Sequence, residues 1–473
     1  MLPILLPMRS PWGRVARGVA ALGLALACGA PSPPPPNLLL VTVDTLRPDR
    51  LACYGGDEAV GTAICDVATR GSLYVWAFAT APATAPSLAS LLTSRLPSEH
   101  GVTELASSHL RENVASVVEL LREAGYDTAA FVSNPVVRRG RGLERGFAIY
   151  DDHMTRRERN RPGLREREAE ATTRAALAWA QVSRPPWFLW VHYQDPHGPY
   201  EPPGAGRRRD ASESTRLSLL QDHSGRGGIP AYQELPGLRS VEAYERRYRD
   251  EIRYLDLHLG LLVKGLDELG DPPWVILTAD HGEAFGEDDY WFAHGHSLGL
   301  DQIRVPLLVR PGGADPGATA RRVTAPVSVV DVAPTLLAAA GLEAPAGFIG
   351  RPLQEAAVPG RALFAEHRLR GAVVSGDTYF ARDREGFDAP VPDAVSGGRL
   401  HPLPARSAVL PAEGPAGAYR EATGETTDDG PTRVLAELLG ARLASLPEAA
   451  PRPDGAAPTE AEREALRALG YLE

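Results

Sequence analysis

The chain has 473 residues, of which 43% are hydrophobic and 23% are charged, and its formal net charge is −10. The hydrophobic and charged fractions are typical of a globular protein, and they exclude a chain without a core. The negative net charge argues against nucleic acid as a partner, because nucleic-acid-binding proteins present a basic face. Length alone predicts about three domains.

The first residues have the pattern of an export signal. Three arginines precede an apolar run over residues 19–27, and these are Arg9, Arg14 and Arg17. A basic segment, a short apolar segment and small residues before a cleavage point are typical of a secretory signal. The run is too short for a stable transmembrane helix.

The end of this signal resembles a bacterial lipobox, Ala-Leu-Ala-Cys, with Cys28 as the residue that would carry the lipid. Ordinary signal cleavage near this point is the alternative. We therefore expect a signal peptide over 1–28, a proline-rich spacer over 29–36 and a working protein in the periplasm or cell envelope. Contact with the membrane is expected only through the lipid anchor.

Two further cysteines, Cys53 and Cys65, have two interpretations. Export permits a disulfide between them. Their apolar neighbours equally fit two buried free thiols. Neither cysteine has the spacing of a metal ligand.

Alternating strands and helices predict the fold class. Continuous apolar runs indicate strands that are buried on both faces, as in a parallel sheet covered by helices; they cover 37–43, 128–132, 187–191, 274–279 and 304–309. Helices are predicted to begin near Thr84 and to cover 114–124, 165–182, 241–269 and 327–342. This order predicts an α/β fold with a doubly wound, mainly parallel sheet and helices on both faces.

Two stretches fall outside this pattern. Residues 204–237 are rich in Gly, Arg, Ser and Pro, and they predict either a lid near the site or a plain surface loop. Short strands over 362–381 and helices over 432–444 and 459–469 predict a small C-terminal α+β subdomain. The expected boundaries are therefore a catalytic domain over 37–355 and a subdomain over 356–473.

Polar residues follow two of the predicted strands. Asp44 ends the first strand, and Asp280 and His281 end the strand over 274–279. Ligand sites of open α/β sheets lie at the carboxyl ends of the strands, and two carboxylates with an imidazole suit a divalent metal. The alternative for each aspartate is a turn or cap residue.

Thr84 lies at a predicted helix N-terminus, two residues before Pro86. Proline is tolerated in the first helical turn, and the free N–H groups there favour negative charge. This position suits the attack on an anionic ester. The alternative is that Thr84 is an ordinary N-cap.

Taken together, these stretches resemble the sulfatase family of the alkaline phosphatase superfamily. The resemblance is collinear from about residue 37 to residue 353 and returns at the C-terminus, with landmarks at 43–49, 53–55, 84–87, 97–102, 195–200, 280–283, 305–307 and 469–472. It implies one interlaced catalytic domain with an alkaline-phosphatase-like fold. The length prior of three domains is then wrong.

The resemblance implies one divalent cation, held by carboxylates beside the nucleophile. Position by position, the metal site would comprise Asp44, Thr84, Asp280 and His281, with Thr84 as nucleophile. His197 would hold the ester oxygens or protonate the leaving group, and His294 and His296 are further candidates for these tasks. Calcium, manganese, magnesium and zinc all fit such a ligand set.

The chain departs from the strict sulfatase pattern at three positions. Thr84 stands where the family has the Cys or Ser that is oxidised to formylglycine, Leu88 replaces the motif arginine, and Thr45 replaces a second metal-binding Asp. The substrate-gripping lysines of the family have no counterpart, since Lys264 falls in a predicted helix. The site is thus expected to be less cationic than that of a strict sulfatase.

A threonine nucleophile with an Asp-His pair resembles the phosphoglycerol and phosphoethanolamine transferase branch, which includes lipoteichoic acid synthase. The resemblance implies a hydrolase or transferase of sulfate or phosphate esters, with small molecules, glycans or lipids as substrates. Phosphate esters are favoured, through a phosphothreonine intermediate at Thr84. The alternative is a degenerate envelope protein that binds metal or anionic glycans without turnover.

Overall fold

The computed structural model describes residues 34–103, 108–204, 215–313, 319–367, 370–376, 378–383, 399–402 and 430–444. The predicted signal peptide, Cys28 and the helix predicted over 459–469 lie outside these residues. Among the helices of the described residues, none is both long and apolar enough to cross a bilayer.

The strands are numbered in chain order. They are β1 (Leu38–Val43), β2 (Ser72–Phe78), β3 (Asp127–Val132), β4 (Ile149–Asp151), β5 (Arg156–Arg157), β6 (Arg165–Glu166), β7 (Trp187–Tyr193), β8 (Ser218–Leu219), β9 (Gly228–Ile229), β10 (Trp274–Ala279), β11 (Ala284–Phe285), β12 (Trp291–Ala293), β13 (Arg304–Arg310), β14 (Arg321–Val323), β15 (Val327–Ser328), β16 (Leu363–His367), β17 (Arg370–Ser375), β18 (Thr378–Asp383) and β19 (Arg399–Pro402).

The α-helices follow the same convention. They are α1 (Thr62–Asp66), α2 (Thr84–Thr93), α3 (Pro97–His100), α4 (Val117–Glu123), α5 (Ala169–Ala180), α6 (Val241–Asp267), α7 (Leu300–Ile303), α8 (Val332–Ala339) and α9 (Gly430–Ala444).

A mixed sheet forms the centre of the described chain. Its order is β14-β2-β13-β10-β1-β7-β3-β4, with β15 paired to β2. The strands from β10 to β4 are all parallel, whereas β13 runs antiparallel to both β10 and β2. The central strand β1 is buried throughout, which fits its unbroken apolar sequence.

Helices cover both faces of this sheet. α5 packs along α6, while α4 and α2 pack on α8. The strand β3 contacts one helix of each group, α4 and α5. The predicted doubly wound, mainly parallel α/β fold is therefore confirmed.

Two predicted helices begin later than their sequences indicated. The helix predicted over 165–182 is α5, and its first residues instead form β6, which pairs with β5 in a hairpin. The helix predicted over 327–342 is α8, preceded by β15, which adds to the sheet beside β2. In both places the backbone of a neighbouring strand competes for the hydrogen bonds of the first helical turn.

The C-terminal part contains an antiparallel sheet in the order β16-β17-β18-β19, with α9 packed on it. The Arg442 side chain of α9 forms ion pairs of 2.9 Å with Glu99 and with Glu366. The backbone N–H of Glu366 donates to the carbonyl of Thr80 at 2.7 Å. These bonds tie the α+β part to the segments on either side of α2.

Cys53 and Cys65 form a disulfide, with their Cα atoms 5.6 Å apart. Of the two interpretations of these cysteines, the structure has the bonded one. The bond ties the segment after β1 to α1.

Candidate active site

The site lies at the carboxyl ends of β1, β10, β7 and β3. The backbone N–H of Asp44 donates to the carbonyl of Tyr193 at 2.9 Å, and that of Asp280 donates to the carbonyl of Val43 at 3.2 Å. These bonds continue the parallel ladders past the strand ends, so that the two aspartates lie side by side. Asp44, Asp280 and His281 are fully buried.

Each aspartate has one oxygen bound and one free. Asp44 Oδ2 accepts a hydrogen bond from the side-chain amide of Asn134, and Asp280 Oδ1 accepts the backbone N–H groups of Thr45 at 3.2 Å and His281 at 2.7 Å. Asp44 Oδ1 and Asp280 Oδ2 are buried with no partner among the described residues. Burying a carboxylate oxygen unpaired is costly, so the pair fits a bound cation.

His281 directs the lone pair of its Nε2 towards the two free carboxylate oxygens. Its Nδ1 lies 2.8 Å from the carbonyl of Gly282. Because a carbonyl only accepts, the proton is on Nδ1 and Nε2 is unprotonated. Nε2 lies 3.6 Å from Asp44 Oδ1 and 3.7 Å from Asp280 Oδ2. An imidazole in this state is a metal ligand.

Thr84 faces this group from the first residue of α2. Its Oγ1 lies 3.3 Å from His281 Nε2. Ala83 is the N-cap of α2, and it forms no side-chain cap, so the N-cap interpretation of Thr84 is wrong. The hydroxyl of Ser87, in the same helical turn, donates to the carbonyl of Asp280 at 2.6 Å and holds α2 against the end of β10.

His192 is a further candidate ligand that the sequence did not reveal. One ligand atom from each of Asp44, His192 and Asp280 lies within 4.8 Å of the others. His192 Nδ1 is bonded to Thr42 Oγ1 at 2.9 Å, and its buried Nε2 has no partner among the described residues. His192 belongs to the buried strand β7, where a histidine is easily taken for part of the core. Its position directly after the apolar run is the signal that could have identified it.

Without a cation, the ionised forms of these buried side chains are electrostatically unfavourable. Burial, and then the charge of Asp280, raise the pKa of Asp44 well above its usual range. Burial raises the pKa of Asp280 to about 8, and it lowers the pKa of His281 to about 4. The chemistry of the donor set thus fits one divalent cation, which Asp44, Asp280 and an imidazole of His281 or His192 would hold.

A second imidazole is held by a buried acid. His294 Nδ1 lies 3.0 Å from Glu283 Oε1, and the hydroxyl of Tyr200 donates to Glu283 Oε2 at 3.1 Å. The ring centroids of His281 and His294 are 4.5 Å apart. Sequence reasoning selected His294 but missed Glu283 and Tyr200, although both lie within landmark segments.

His197 lies next to His294, with ring centroids 5.2 Å apart. Its Nδ1 lies 2.7 Å from the carbonyl of Gly198, so Nε2 carries the lone pair. Burial lowers the pKa of His294 to about 3 and that of His197 well below its usual range. Both imidazoles are therefore neutral at pH 7.

A cleft of about 610 Å³ opens over Thr84, and its lining includes Asn134, Glu158, Arg161, Gln194, His197, His223, Tyr232, His294 and His296. Arg161 is 8% exposed, and its Nε donates to Glu158 at 2.6 Å. Sequence reasoning found no cation in this cleft, because Arg161 lies in the β5–β6 hairpin, which it did not predict.

The two other positions that depart from the strict sulfatase pattern, Leu88 and Thr45, are also buried. Leu88 is fully buried in the core, so the position of the motif arginine is apolar. Thr45 has a φ of 54°, and its buried Oγ1 has no partner among the described residues. A threonine rarely adopts this left-handed conformation.

The fold and the site define a class of α/β proteins with an acidic, histidine-containing site for a metal and an anionic ester. The family model for "Sulfatase" matches residues 36–342. The chain therefore belongs to the sulfatase family, within the alkaline phosphatase-like superfamily.

The relatives support this assignment. The chain is 26% identical over 355 residues to the ulvan-active sulfatase of Formosa agariphila, covering 68% of this chain and 65% of that protein. This match spans about two thirds of the length of that relative. The structure is similar to that of a 2-O GAG sulfatase, with a TM-score of 0.59, 19% identity and coverage of 78% of this chain and 85% of that chain.

A phosphonate monoester hydrolase of Silicibacter pomeroyi also has this fold. The TM-score is 0.62 at 19% identity, and the alignment covers 86% of this chain and 94% of that chain. The fold is thus shared by enzymes named for sulfate esters and by one named for phosphonate esters.

Proposed function

We propose that the protein is a metal-dependent hydrolase or transferase of sulfate or phosphate esters, with Thr84 as the nucleophile. One observation carries the proposal. The Thr84 hydroxyl lies 3.3 Å from the imidazole nitrogen that faces the two free carboxylate oxygens. A nucleophile next to a cation site at a helix N-terminus is arranged for an anionic ester.

Asp44, Asp280 and His281 would hold the cation, with the Thr84 hydroxyl beside it. The cation would neutralise a non-bridging oxygen of the ester and favour the ionised form of the hydroxyl. Asn134 would keep Asp44 oriented through its amide, since the partners of metal ligands fix their geometry.

In the first step, Thr84 Oγ1 forms a bond to the sulfur or phosphorus while the bond to the alcohol oxygen breaks. The proton that the Thr84 hydroxyl loses is the one that the leaving alkoxide gains, so that the alcohol departs neutral. The product on the protein is the ester of Thr84. His197 and His294 line the cleft into which the alcohol leaves.

In the second step, water or an acceptor alcohol attacks the Thr84 ester. His294 is the candidate base for this step, because its ring lies 4.5 Å from that of His281 and its Nδ1 is held by Glu283 at 3.0 Å. Attack by water regenerates Thr84 and releases sulfate or phosphate; attack by an alcohol transfers the group.

The side chain of Thr84 supports phosphate over sulfate as the ester cleaved. The extra methyl of threonine blocks formation of the aldehyde that a strict sulfatase requires. The fold likeness to a phosphonate monoester hydrolase is consistent with this preference. The natural substrate is proposed to be a small-molecule, glycan or lipid ester.

We also propose that the protein works outside the cytoplasm, held by a lipid on Cys28. The leader sequence supports this location, and the disulfide of Cys53 with Cys65 is consistent with an oxidising compartment. Metabolic labelling with a fatty acid, compared between the wild-type protein and Cys28→Ala, tests the anchor. Labelling that persists in the variant would overturn it.

The activity is tested by parallel hydrolysis of an aryl sulfate, an aryl phosphomonoester and an aryl phosphodiester across added divalent metals. Release of phosphate that is lost in Thr84→Ala is the expected result. Release from the sulfate alone would overturn the preference for phosphate. A protein that binds metal but forms no ester on Thr84 with any of these would support the degenerate alternative, which the apolar Leu88 favours.

A further inference from the structure

A second polar group lines the same cleft as Thr84. Arg161 is held on the β5–β6 hairpin by its Nε bond of 2.6 Å to Glu158, and Glu158 itself is 2% exposed. Asn160, the neighbouring residue, donates to the carbonyls of Tyr232 at 2.7 Å and Glu234 at 2.9 Å. The guanidinium is therefore fixed in position before any ligand arrives.

The two terminal nitrogens of the Arg161 guanidinium are available to a ligand. Among the described residues, Nη1 and Nη2 donate to no acceptor, and the Arg161 Cζ lies 4.6 Å from the centroid of the Tyr232 ring. Neither nitrogen is among the fully buried atoms without a partner, so both are accessible to a ligand in the cleft. Nearby, the buried Nδ1 of His223 also has no partner in the described part of the chain.

Arg161 is also the one permanent cation among the described residues that line this cleft. Burial and the Arg161 charge both lower the pKa of His223, so that this imidazole stays neutral at pH 7. The single carboxylate in the lining is Glu158, which is already bonded to Arg161. An anion entering here meets a fixed guanidinium among neutral donors.

A row of ring contacts runs from His281, beside the nucleophile, to Tyr232, beside Arg161. Ring centroids are 4.5 Å apart for His281 and His294, 5.2 Å for His294 and His197, and 6.2 Å for His197 and Tyr232. Arg161 lies against the far member of this row, Tyr232. Its position suits a part of the substrate other than the ester group at Thr84.

We propose that Arg161 binds a carboxylate in the alcohol part of the substrate, so that the preferred substrate is an ester of a hydroxy acid. The planar guanidinium matches a carboxylate through two parallel hydrogen bonds. This proposal rests on the proposed ester hydrolysis and specifies the substrate class that the same cleft takes.

Phenyl phosphate and 3-carboxyphenyl phosphate test the proposal, or the corresponding sulfates if sulfate is the ester cleaved. The two esters differ only in the carboxylate. The variants are Arg161→Met, Arg161→Lys and, as a matched control, Arg157→Met, since Arg157 is an exposed arginine on the same hairpin.

In the wild-type protein, the KM for the carboxylated ester is expected to be lower by about tenfold or more, the value of a good charged hydrogen bond. Arg161→Met removes this difference in KM, Arg161→Lys keeps part of it, and Arg157→Met keeps all of it. An equal loss for both esters, or no loss for the carboxylated one, would overturn the proposal.

A binding measurement separates this proposal from the proposed hydrolysis. If the wild-type protein cleaves neither ester, the hydrolysis fails, and calorimetry with 3-hydroxybenzoate and phenol then decides the carboxylate site alone. Binding of 3-hydroxybenzoate that is weakened about tenfold in Arg161→Met would support it. Equal binding to both proteins would contradict it. Thermal unfolding of each variant confirms that it is folded.

Discussion

The Thr84 hydroxyl lies 3.3 Å from Nε2 of His281, on the side of the imidazole that faces Asp44 and Asp280. Thr84 is 2% exposed, and its hydroxyl has no capping role in α2. A buried hydroxyl in this place is better explained by the chemistry of the site than by the stability of the helix.

Thr84→Ala is expected to lower kcat by about a thousandfold or more, because the attacking atom is absent. Thr84→Ser should retain part of the activity. The control is Thr93→Ala at the other end of α2, where the hydroxyl donates to the carbonyl of Ala89 at 2.6 Å. Intact-mass measurement of rapidly quenched wild-type protein should show a phosphoryl or sulfuryl group on Thr84. Full turnover by Thr84→Ala would remove Thr84 from the mechanism.

Asp280→Asn should abolish metal binding with little loss of fold, since the amide cannot supply the anionic oxygen that faces the cation site. Elemental analysis and thermal unfolding with and without metal measure this. The wild-type protein should be stabilised by added metal and the variant should not. Asp66→Asn, at an exposed position of α1, serves as the control. Unchanged metal content in Asp280→Asn would rule out the proposed ligand.

The imidazole ligand can be identified separately. His281→Ala should lose more metal affinity than His192→Ala, because His281 Nε2 lies within 3.7 Å of the free oxygens of both aspartates. Isothermal titration with zinc and manganese gives the two affinities. A larger loss in His192→Ala would make His192 the ligand and leave His281 as the partner of Thr84.

The metal-free protein should lose stability as the pH rises. Asp280 has a pKa of about 8 in the folded protein and an ordinary value of 3.8, so its contribution is full below pH 4 and is lost as the pH rises towards 8. In chelator, the stability of Asp280→Asn relative to wild type should increase over this interval by up to about 1.4 kcal/mol per pH unit. Urea unfolding at several pH values measures the difference.

Saturating metal should remove most of this pH dependence, because the cation favours the ionised carboxylate. A difference between Asp280→Asn and wild type that stays constant from pH 4 to pH 8 in chelator would contradict the raised pKa. The comparison of two proteins cancels the titration of the buried histidines, which acts in the opposite direction.

Glu283→Gln should lower kcat by about tenfold or more with little change in KM, because Glu283 orients the His294 imidazole through its contact of 3.0 Å with Nδ1. Tyr200→Phe is the control, since it removes the other hydrogen bond of Glu283 and leaves the bond to His294. Its effect should be smaller. If both variants keep wild-type kcat, His294 does not act as the base.

Replacing both Cys53 and Cys65 by Ser should lower the free energy of unfolding by about 2–4 kcal/mol, since the bond restricts the unfolded chain. The two cysteines are 12 positions apart in the sequence and neither lines the cleft over Thr84, so kcat should change little. Chemical denaturation of the double variant, and of the reduced wild-type protein, measures the effect. Equal stability of oxidised and reduced protein would show that the bond contributes nothing.

Much of this site could be predicted from the sequence, for a physical reason. Asp44 and Asp280 each follow an apolar run, and parallel strands bring their carboxyl ends to one edge. That β1 and β10 are neighbours depends on contacts across the sheet, which no local pattern contains. The resemblance to a family supplied that adjacency.

The residues that were missed lie where local patterns carry no signal. His192 is inside an apolar strand, so its polarity looks like an exception and not a site. Arg161 and Glu158 lie in a charged hairpin, and its sequence resembles the segment that precedes a helix. Only the folded structure shows that the two side chains are buried. The antiparallel direction of β13, which begins directly after α7, could not be predicted either. Its apolar run would be the same in a parallel strand.

The central strand β1 pairs on one side with β7, Leu38 opposite Phe188, and on the other with β10, Leu38 opposite Trp274. The first strand to be synthesised therefore gains one neighbour only when Tyr193 has been made and the other only when Ala279 has been made. Until then its apolar edges are unpaired and open to wrong contacts. The cation site needs both β1 and β10, so metal loading reports that these two distant parts of the chain have come together.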